Sequence, residues 1–285
     1  MNMSTTTLNP ATINKASAYN LTVRKPEFDF SGDIPEFWQA GDPFRTLLLA
    51  AMSGGFPEGE RFFIDAVRQF QDQVTEPELK QAIRLFIGQE AHHAKEHRAL
   101  NGFLAERGYP IGDIEKLLAK GLAIYRKRFS PARQLAQTVA LEHFTAIMAE
   151  GFMLDQAEIE QMDPRMAKLW VWHAVEESEH KAVAFDVFKA TVDSEWIRIS
   201  QMMYCTVMFM TMSSLNHMRL LKHSGHLYDV RMWARGLDHF WGRHGAFRKM
   251  IPAYLDFYRR DFHPNQHDHR AQIEAVKQRY LAEFV

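Results

Sequence analysis

From about residue 50 onward, apolar positions recur three and four apart, the period of helices with one buried face. Pro57 suits an early helical turn, and the pattern behind it predicts a first helix to about Val74. A second is predicted from Glu76-Pro77 to about Gly108-Tyr109-Pro110, and a shorter one over Ile114 to Phe129. Ser130-Pro131 reads as a cap and first turn for a third long helix, Ala132 to about Leu154. Pro164 opens a fourth that continues to about Val192. A Met-rich fifth helix covers Ile199 to Leu215. Further helix from Tyr228 to Tyr258 is broken by Gly236, Gly242, Gly245 and Pro252, and a last one lies within Asp268 to Phe284. Strand patterns are nearly absent and no solenoid-type repeat occurs.

The expected class is therefore all-α, in a single helical domain over residues 23–285. A bundle occupies about 50–193 and a helical extension about 195–285. Residues 1–22, rich in Ser, Thr, Asn and Ala, read as a flexible N-terminal tail without the apolar core of a secretory signal. Pro26 to Pro43 reads as an irregular arm anchored by Phe28, Phe30, Phe37 and Trp38. Gln201, Thr206, Thr211, Ser213 and Ser214 make the Met-rich segment too polar for a spanning helix, which wants about 20 apolar residues. A buried or dimer-forming helix is the better reading, and a cytoplasmic location the default.

Charge changes this picture little. Lys and Arg total 34 against 35 Asp and Glu, which gives no reason to expect nucleic acid or an anionic membrane as partner. The single cysteine, Cys205, excludes an internal disulfide and a cysteine-built zinc or iron–sulfur site. The 14 histidines matter more, because imidazole is the commonest metal ligand.

Two of the predicted helices carry the same small motif, Glu-x-x-His: Glu90 with His93, and Glu177 with His180. Residues three apart project from one helical face, so each motif offers a carboxylate and an imidazole to one point. Two such motifs plus one Glu from each of two other helices form the inward site of ferritin-like di-metal bundles. The lone glutamates expected on the preceding helices are Glu60 and Glu142. Glu58 competes with Glu60 but falls at the helix start, and Glu150 competes with Glu142 but adjoins Gly151. His173, four before Glu177, adds a third imidazole to that face, either as a seventh ligand or as a core histidine. His97 mirrors it on the second helix and stays open between ligand and support. Glu96, Glu176 and Glu179 read as solvated helix residues. Thr138, Thr145, Ala146 and Ala149 are small, which leaves room near Glu142 for substrate or dioxygen, or simply allows close packing.

The expected fold is thus a ferritin-like four-helix bundle with additional C-terminal helices, holding two metal ions per chain. The extension carries Trp233, Phe240, Trp241, Phe247, Tyr254 and Phe257 at helical spacing. Core packing is their default role, against a cover for an apolar substrate or a homodimer surface. His263, His267 and His269 read as exposed.

With these residues in hand, the chain resembles the bacterial family labelled predicted metal-dependent hydrolases. The resemblance rests on Phe28-Asp29-Phe30-Ser31 with Ile34-Pro35, on Phe56-Pro57-Glu58-Gly59-Glu60-Arg61-Phe62-Phe63, on Gln89-Glu90-x-x-His93 and on Glu176-Glu177-x-Glu179-His180-Lys181. It covers most of the chain. More distantly, His173-x-x-x-Glu177-x-x-His180 is similar to the core of di-iron arylamine N-oxygenases. That likeness implies Glu60, Glu90, His93, Glu142, His173, Glu177 and His180 as seven ligands to two irons. No clear amine-binding residue accompanies it, so the substrate does not carry over.

Three functions are compatible with such a site. The leading expectation is a di-iron enzyme that uses dioxygen, and an external electron donor, to oxidise a small organic or apolar substrate; manganese is the alternative metal. Histidine-rich ligation favours redox iron over a hard-cation, oxygen-only site. The second is a hydrolase using water activated by two metals. The third is a non-enzymatic iron-binding or storage protein, against which the extra helices argue.

Overall fold

The computed structural model describes residues 19–284. Among these there is no strand, and one isolated bridge joins Gln39 to Met162. Helix α1 (Pro43–Ser53) starts behind Asp42, whose carboxylate accepts the Arg45 N–H. No helix was expected between the arm, which ended at Pro43, and Pro57. Phe44, Leu47, Leu49, Ala50, Ala51 and Met52 are all buried, so the helix is apolar nearly all round and shows no amphipathic period. Helix α2 (Phe56–Arg68) stops earlier than the expected Val74, giving way to a 3-10 turn at Gln71–Gln73.

Helix α3 (Pro77–Glu106) follows, 30 residues long and near its expected bounds, then α4 (Ile111–Arg128). Ser130 caps α5 (Pro131–Met148) as its sequence implies, accepting from Arg133 N–H. Beyond Met148 the helix widens into a π-turn, Ala149–Met153, before the short α6 (Gln156–Glu160). Asp163 caps α7 (Pro164–His180). The expected run to Val192 is two helices, because the chain turns at Lys181-Ala182 before α8 (Val183–Thr191). Lys181 is buried at that turn, its ammonium held by the Glu150 carboxylate and the His267 carbonyl. The Met-rich helix α9 (Glu195–His223) is longer than expected. The extension ends with α10 (Val230–Trp241), α11 (Ala246–Asp256) and α12 (Arg270–Tyr280).

Helices α2, α3, α5 and α7 pack on one another, with α8 closing against α3 and α5. Their facing sides bury Phe62, Phe86, Leu135, Val139, Trp170 and Val175, none more than 3% exposed. Burial of one such side chain contributes roughly 1.5–3 kcal/mol. Helices α9 and α11 cover the other side of α5, with α1 packed on α9, while α12 lies against α7. No helix among the described residues is long and apolar enough to cross a membrane.

Residues 1–18 of the expected tail lie outside the described residues. Tyr19 to Thr22 rest on the bundle: the Tyr19 hydroxyl donates to Asp186, and Leu21 is buried. Val23 lies so close to α3 that a Cβ on Gly88 would come within 2.8 Å of its side chain.

Candidate metal centre

Seven expected ligands come from the four bundle helices: Glu60 from α2, Glu90 and His93 from α3, Glu142 from α5, and His173, Glu177 and His180 from α7. All are at most 2% exposed. The competing glutamates go elsewhere. Glu150 pairs with Lys181 and His269, and Glu58 pairs with Arg61 at the surface.

Two groups form within the set. Ligand atoms of Glu60, His93 and His173 lie within 4.8 Å of one another, as do those of Glu90, Glu177 and His180. Glu177 spans them, with Oε1 at 3.2 Å from His173 Nε2 and 3.6 Å from His93 Nδ1, and Oε2 at 3.5 Å from His180 Nε2. Glu90 Oε1 also lies between histidines, 3.1 Å from His180 Nε2 and 3.8 Å from His93 Nδ1. Glu142 Oε2 sits 3.3 Å from His180 Nε2, without hydrogen-bond geometry.

His173 and His180 are each tied by one nitrogen and turn the other toward this cluster. His173 begins the clearest case. Asn101 Nδ2 donates to Glu115 and to the Ser53 carbonyl, so Asn101 Oδ1 accepts from the Ser53 hydroxyl. Ser53 Oγ then accepts from His97 Nδ1, and His97 Nε2 accepts from His173 Nδ1, the latter pair 2.9 Å apart. His173 Nε2 is left with a bare lone pair facing Glu177. His97, with both nitrogens engaged, supports His173 and has none to offer a metal.

His180 is held similarly. Gln89 Nε2 donates to the Thr22 carbonyl and Glu179, leaving Gln89 Oε1 to accept from His180 Nδ1 at 3.0 Å. His93 Nε2 lies 3.3 Å from Glu176 Oε2, which turns Nδ1 inward. The residue before each motif glutamate therefore steadies the histidine of the opposite motif.

Glu96, Glu176 and Glu179 are not solvated, contrary to the helical-face expectation. Glu176 is 0% and Glu96 2% exposed. Arg24, from the N-terminal arm, forms ion pairs with Glu176 at 3.1 Å and Glu179 at 2.8 Å, and Lys277 of α12 also reaches Glu179. Glu96 accepts from Phe28 N–H and pairs with Lys95. The expected exposure of His263, His267 and His269 is corrected too: they are half-buried against Asp186, Asp256 and Glu150. These partners come from distant segments that helical period cannot register. Gln89 and Glu176 did leave a signal, since they occupy the same offset in both motifs.

Crowding buried carboxylates is costly without compensating positive charge. Burial, reinforced by neighbouring carboxylates, drives Glu60 and Glu90 well above the ordinary carboxylate range. Burial also carries Glu142 to about 7, although His180 opposes the shift. It pushes His93 well down. For Glu177 burial is outweighed by His180 and His173, which hold it low; His180 in turn is raised by Glu142 and Glu177 against its own burial. Ten buried nitrogen and oxygen atoms of Glu60, Glu90, His93, Glu142, Glu177 and His180 have no hydrogen-bond partner. Such atoms in a native interior ordinarily have one, and cations fit this donor set. Two divalent ions would offset four carboxylates.

A family model described as predicted metal-dependent hydrolase matches residues 22–268. The chain belongs to that family. No curated protein and no solved structure matches it. The match takes in the arm bearing Arg24 and all seven convergent residues. The family's description agrees with the hydrolase reading rather than with oxidation, and the comparisons supply nothing for the likeness to arylamine N-oxygenases.

An apolar cavity of about 540 Å³ lies against α5 on the side of Phe144, Ile147 and Met148, and no convergent residue lines it.

Proposed function

We propose that the chain is a di-metal hydrolase whose centre is held by Glu60, Glu90, His93, Glu142, His173, Glu177 and His180. The observation that carries this reading is the set of unpartnered buried atoms, nine of the ten, that converge from the bundle helices. Glu90 and Glu177, each between histidines of both groups, suit the bridging role. Glu60 with His93 and His173 would hold one cation, and Glu142 with His180 the other. A pair of cations bound there supplies Lewis acidity for activating water and polarising the bond it attacks.

The chain's own residues supply orientation and proton handling. Arg24 and Glu176 fix the His93 ring, Gln89 fixes His180, and His97 fixes His173. The donor chain from His173 Nδ1 through His97, Ser53 and Asn101 ends at half-buried Glu115 and keeps the His173 ring proton on Nδ1. Trp172, edge-on to His93 with centroids 4.8 Å apart, helps exclude bulk water.

Dioxygen-dependent oxidation with iron is the second reading. It is favoured by three imidazoles at no more than 1% exposure, a nitrogen-rich and dry setting. The two are separated by reconstituting the protein with ferrous, manganous or zinc ion and assaying each form on activated esters and phosphoesters, with and without oxygen. Hydrolysis that a chelator abolishes and that zinc or manganese sustains without oxygen supports the first reading. Oxygen consumption by the ferrous form, with no hydrolysis from any metal form, replaces it with the second.

A further inference from the structure

The even charge of the whole chain conceals a segregation. Residues 1–194 carry 21 Lys and Arg against 27 Asp and Glu, a net of −6, whereas residues 195–285 carry 13 against 8, a net of +5. Such asymmetry between two parts of a chain points to a charged partner for one of them. The basic part is also where the molecule shows its apolar surface.

Helix α9 leaves two adjoining rows uncovered. Met203, Val207 and Met210 follow one another at spacings of four and three, and Tyr204, Met208 and Leu215 form the next row at four and seven. These six are 37–65% exposed. Met210 borders one cavity together with Leu237 and Trp241 of α10 and Ile251 and Leu255 of α11. That shared border places those four, 41–56% exposed, on the same side of the molecule. Large side chains about half exposed at ten positions present on the order of 800 Å², above the roughly 300–600 Å² of the largest patch on a typical monomer. A patch of that size marks a docking surface.

The rim of the patch specifies the partner. Beyond Leu215 the same row of α9 continues into Arg219 and Lys222, both exposed. At the other end of that row the rings of Tyr204 and Phe129 lie 5.6 Å apart, which brings in exposed Lys127 and Arg128 at the end of α4. Exposed Arg248 lies one turn before Ile251 on α11. None of these five bases has a carboxylate partner among the described residues. Helices α9, α10 and α11 hold three carboxylates, of which Glu195 and Asp256 pair within the fold with Arg198 and Arg259, leaving Asp238. An apolar centre inside an unpaired basic rim fits the interface of a bilayer, with acyl chains against the centre and anionic head groups against the rim. A second copy of this chain fits worse, because a two-fold axis through the patch sets the bases of one rim against those of the other.

We propose that α9, with the flanking parts of α10 and α11, docks the protein on the surface of a bilayer containing anionic phospholipid. No helix among the described residues is long and apolar enough to cross a membrane, so α9 lies along the surface. Its apolar rows enter the acyl boundary, and Tyr204 and Trp241 sit at head-group level. The even totals of Lys, Arg, Asp and Glu gave no reason to expect such a partner, because the acidic bundle masks the basic extension. The surface contains none of the seven convergent residues, so it stands whether the bundle hydrolyses or oxidises.

The test sediments the full chain with vesicles of phosphatidylcholine alone and of phosphatidylcholine with about one third phosphatidylglycerol. The anionic vesicles are expected to bind at least about tenfold more tightly, and raising salt from about 0.1 to 0.5 M to weaken that binding severalfold. Arg219→Ala with Lys222→Ala is expected to weaken it about 25-fold, about fivefold for each base near an anionic surface. Lys80→Ala with Arg84→Ala, the same loss of charge on exposed positions of α3, is expected to change it less than about twofold. Val207→Asp puts a charge in the apolar centre, at a position 65% exposed, and is expected to weaken binding to both vesicles at least about tenfold. Circular dichroism checks that the variants keep their helix, and the comparison of vesicles on the unmodified chain needs none of them. No binding to either vesicle, equal binding to both, or equal losses from the α9 and α3 pairs would overturn the proposal. Binding that Val207→Asp leaves intact would do so too, since charge alone then accounts for it. A dimer in analytical ultracentrifugation that Val207→Asp splits would assign the surface to a second copy instead.

Discussion

The two Glu-x-x-His motifs have the same spacing but different surroundings. On α3, His93 leans on the Glu176 carboxylate, which Arg24 neutralises from the arm. On α7, His180 leans on the neutral Gln89 amide, and His173 adds a further imidazole with its own chain of hydrogen bonds. A carboxylate behind a ligand histidine raises its basicity, whereas an amide mainly fixes the ring. One repeated motif therefore meets two unlike settings, and residues outside the motif make the difference.

The largest effect is expected from removing what the two positions share. Glu177→Ala, which takes away the carboxylate between them, is expected to cut bound metal from two ions per chain to nearly none. Glu142→Ala, which strips one position, is expected to leave about one ion, in keeping with a two-metal clamp. Metal analysis of the purified variants reads both. Equal losses would erase the distinction between bridging and terminal residues.

Disabling the supports comes next. Glu176→Gln or Arg24→Ala is expected to weaken metal at the His93 position about 10- to 100-fold, the usual cost of losing a partner behind a ligand. Competition with a chelator measures this. Gln89→Ala and His97→Phe fall at the low end of the same range, about tenfold, since each removes a neutral partner. If Gln89→Ala outweighs Glu176→Gln, the proposed asymmetry is inverted.

The smallest effect is one of protons. Without metal, burial raises Glu60 and Glu90, and neighbouring carboxylates raise His180 against its own burial, which favours the protonated forms that cation binding must displace. Metal affinity should therefore climb as pH rises through neutrality, and calorimetry in buffers of different ionisation enthalpy should detect proton release. Glu142 adds a stability effect of the opposite sign. Its folded value of about 7 lies above the ordinary 4.5, so the metal-free fold should lose stability as pH rises between the two. A pH-independent affinity would mean that the buried carboxylates are already ionised.

Much of the centre was legible in sequence because its key elements are local. Spacing of three puts Glu90 with His93 and Glu177 with His180, and capping pairs such as Ser130-Pro131 fix where helices begin. Glu142 was preferred to Glu150 because Glu150 adjoins Gly151, and the structure brings Glu142 to the cluster while Glu150 pairs with Lys181. What was not legible depends on contacts across the chain. Arg24 buries Glu176 from 152 positions away, so a run of acidic residues that looked solvated is interior. The α1 helix escaped because nearly every face is apolar. The aromatic positions of the extension showed correct helical spacing, but whether Phe240 and Trp241 fill a core or line a trough depends on how α9, α10 and α11 splay.

The most direct test is anomalous X-ray scattering from crystals grown with manganese or iron. Two peaks about 3.5–4 Å apart are expected, the spacing of two-metal sites. Both should touch Glu90 and Glu177, with His93 and His173 beside one and His180 beside the other. A single peak, or density at His263 and His267 with none in the bundle, would contradict the di-metal centre.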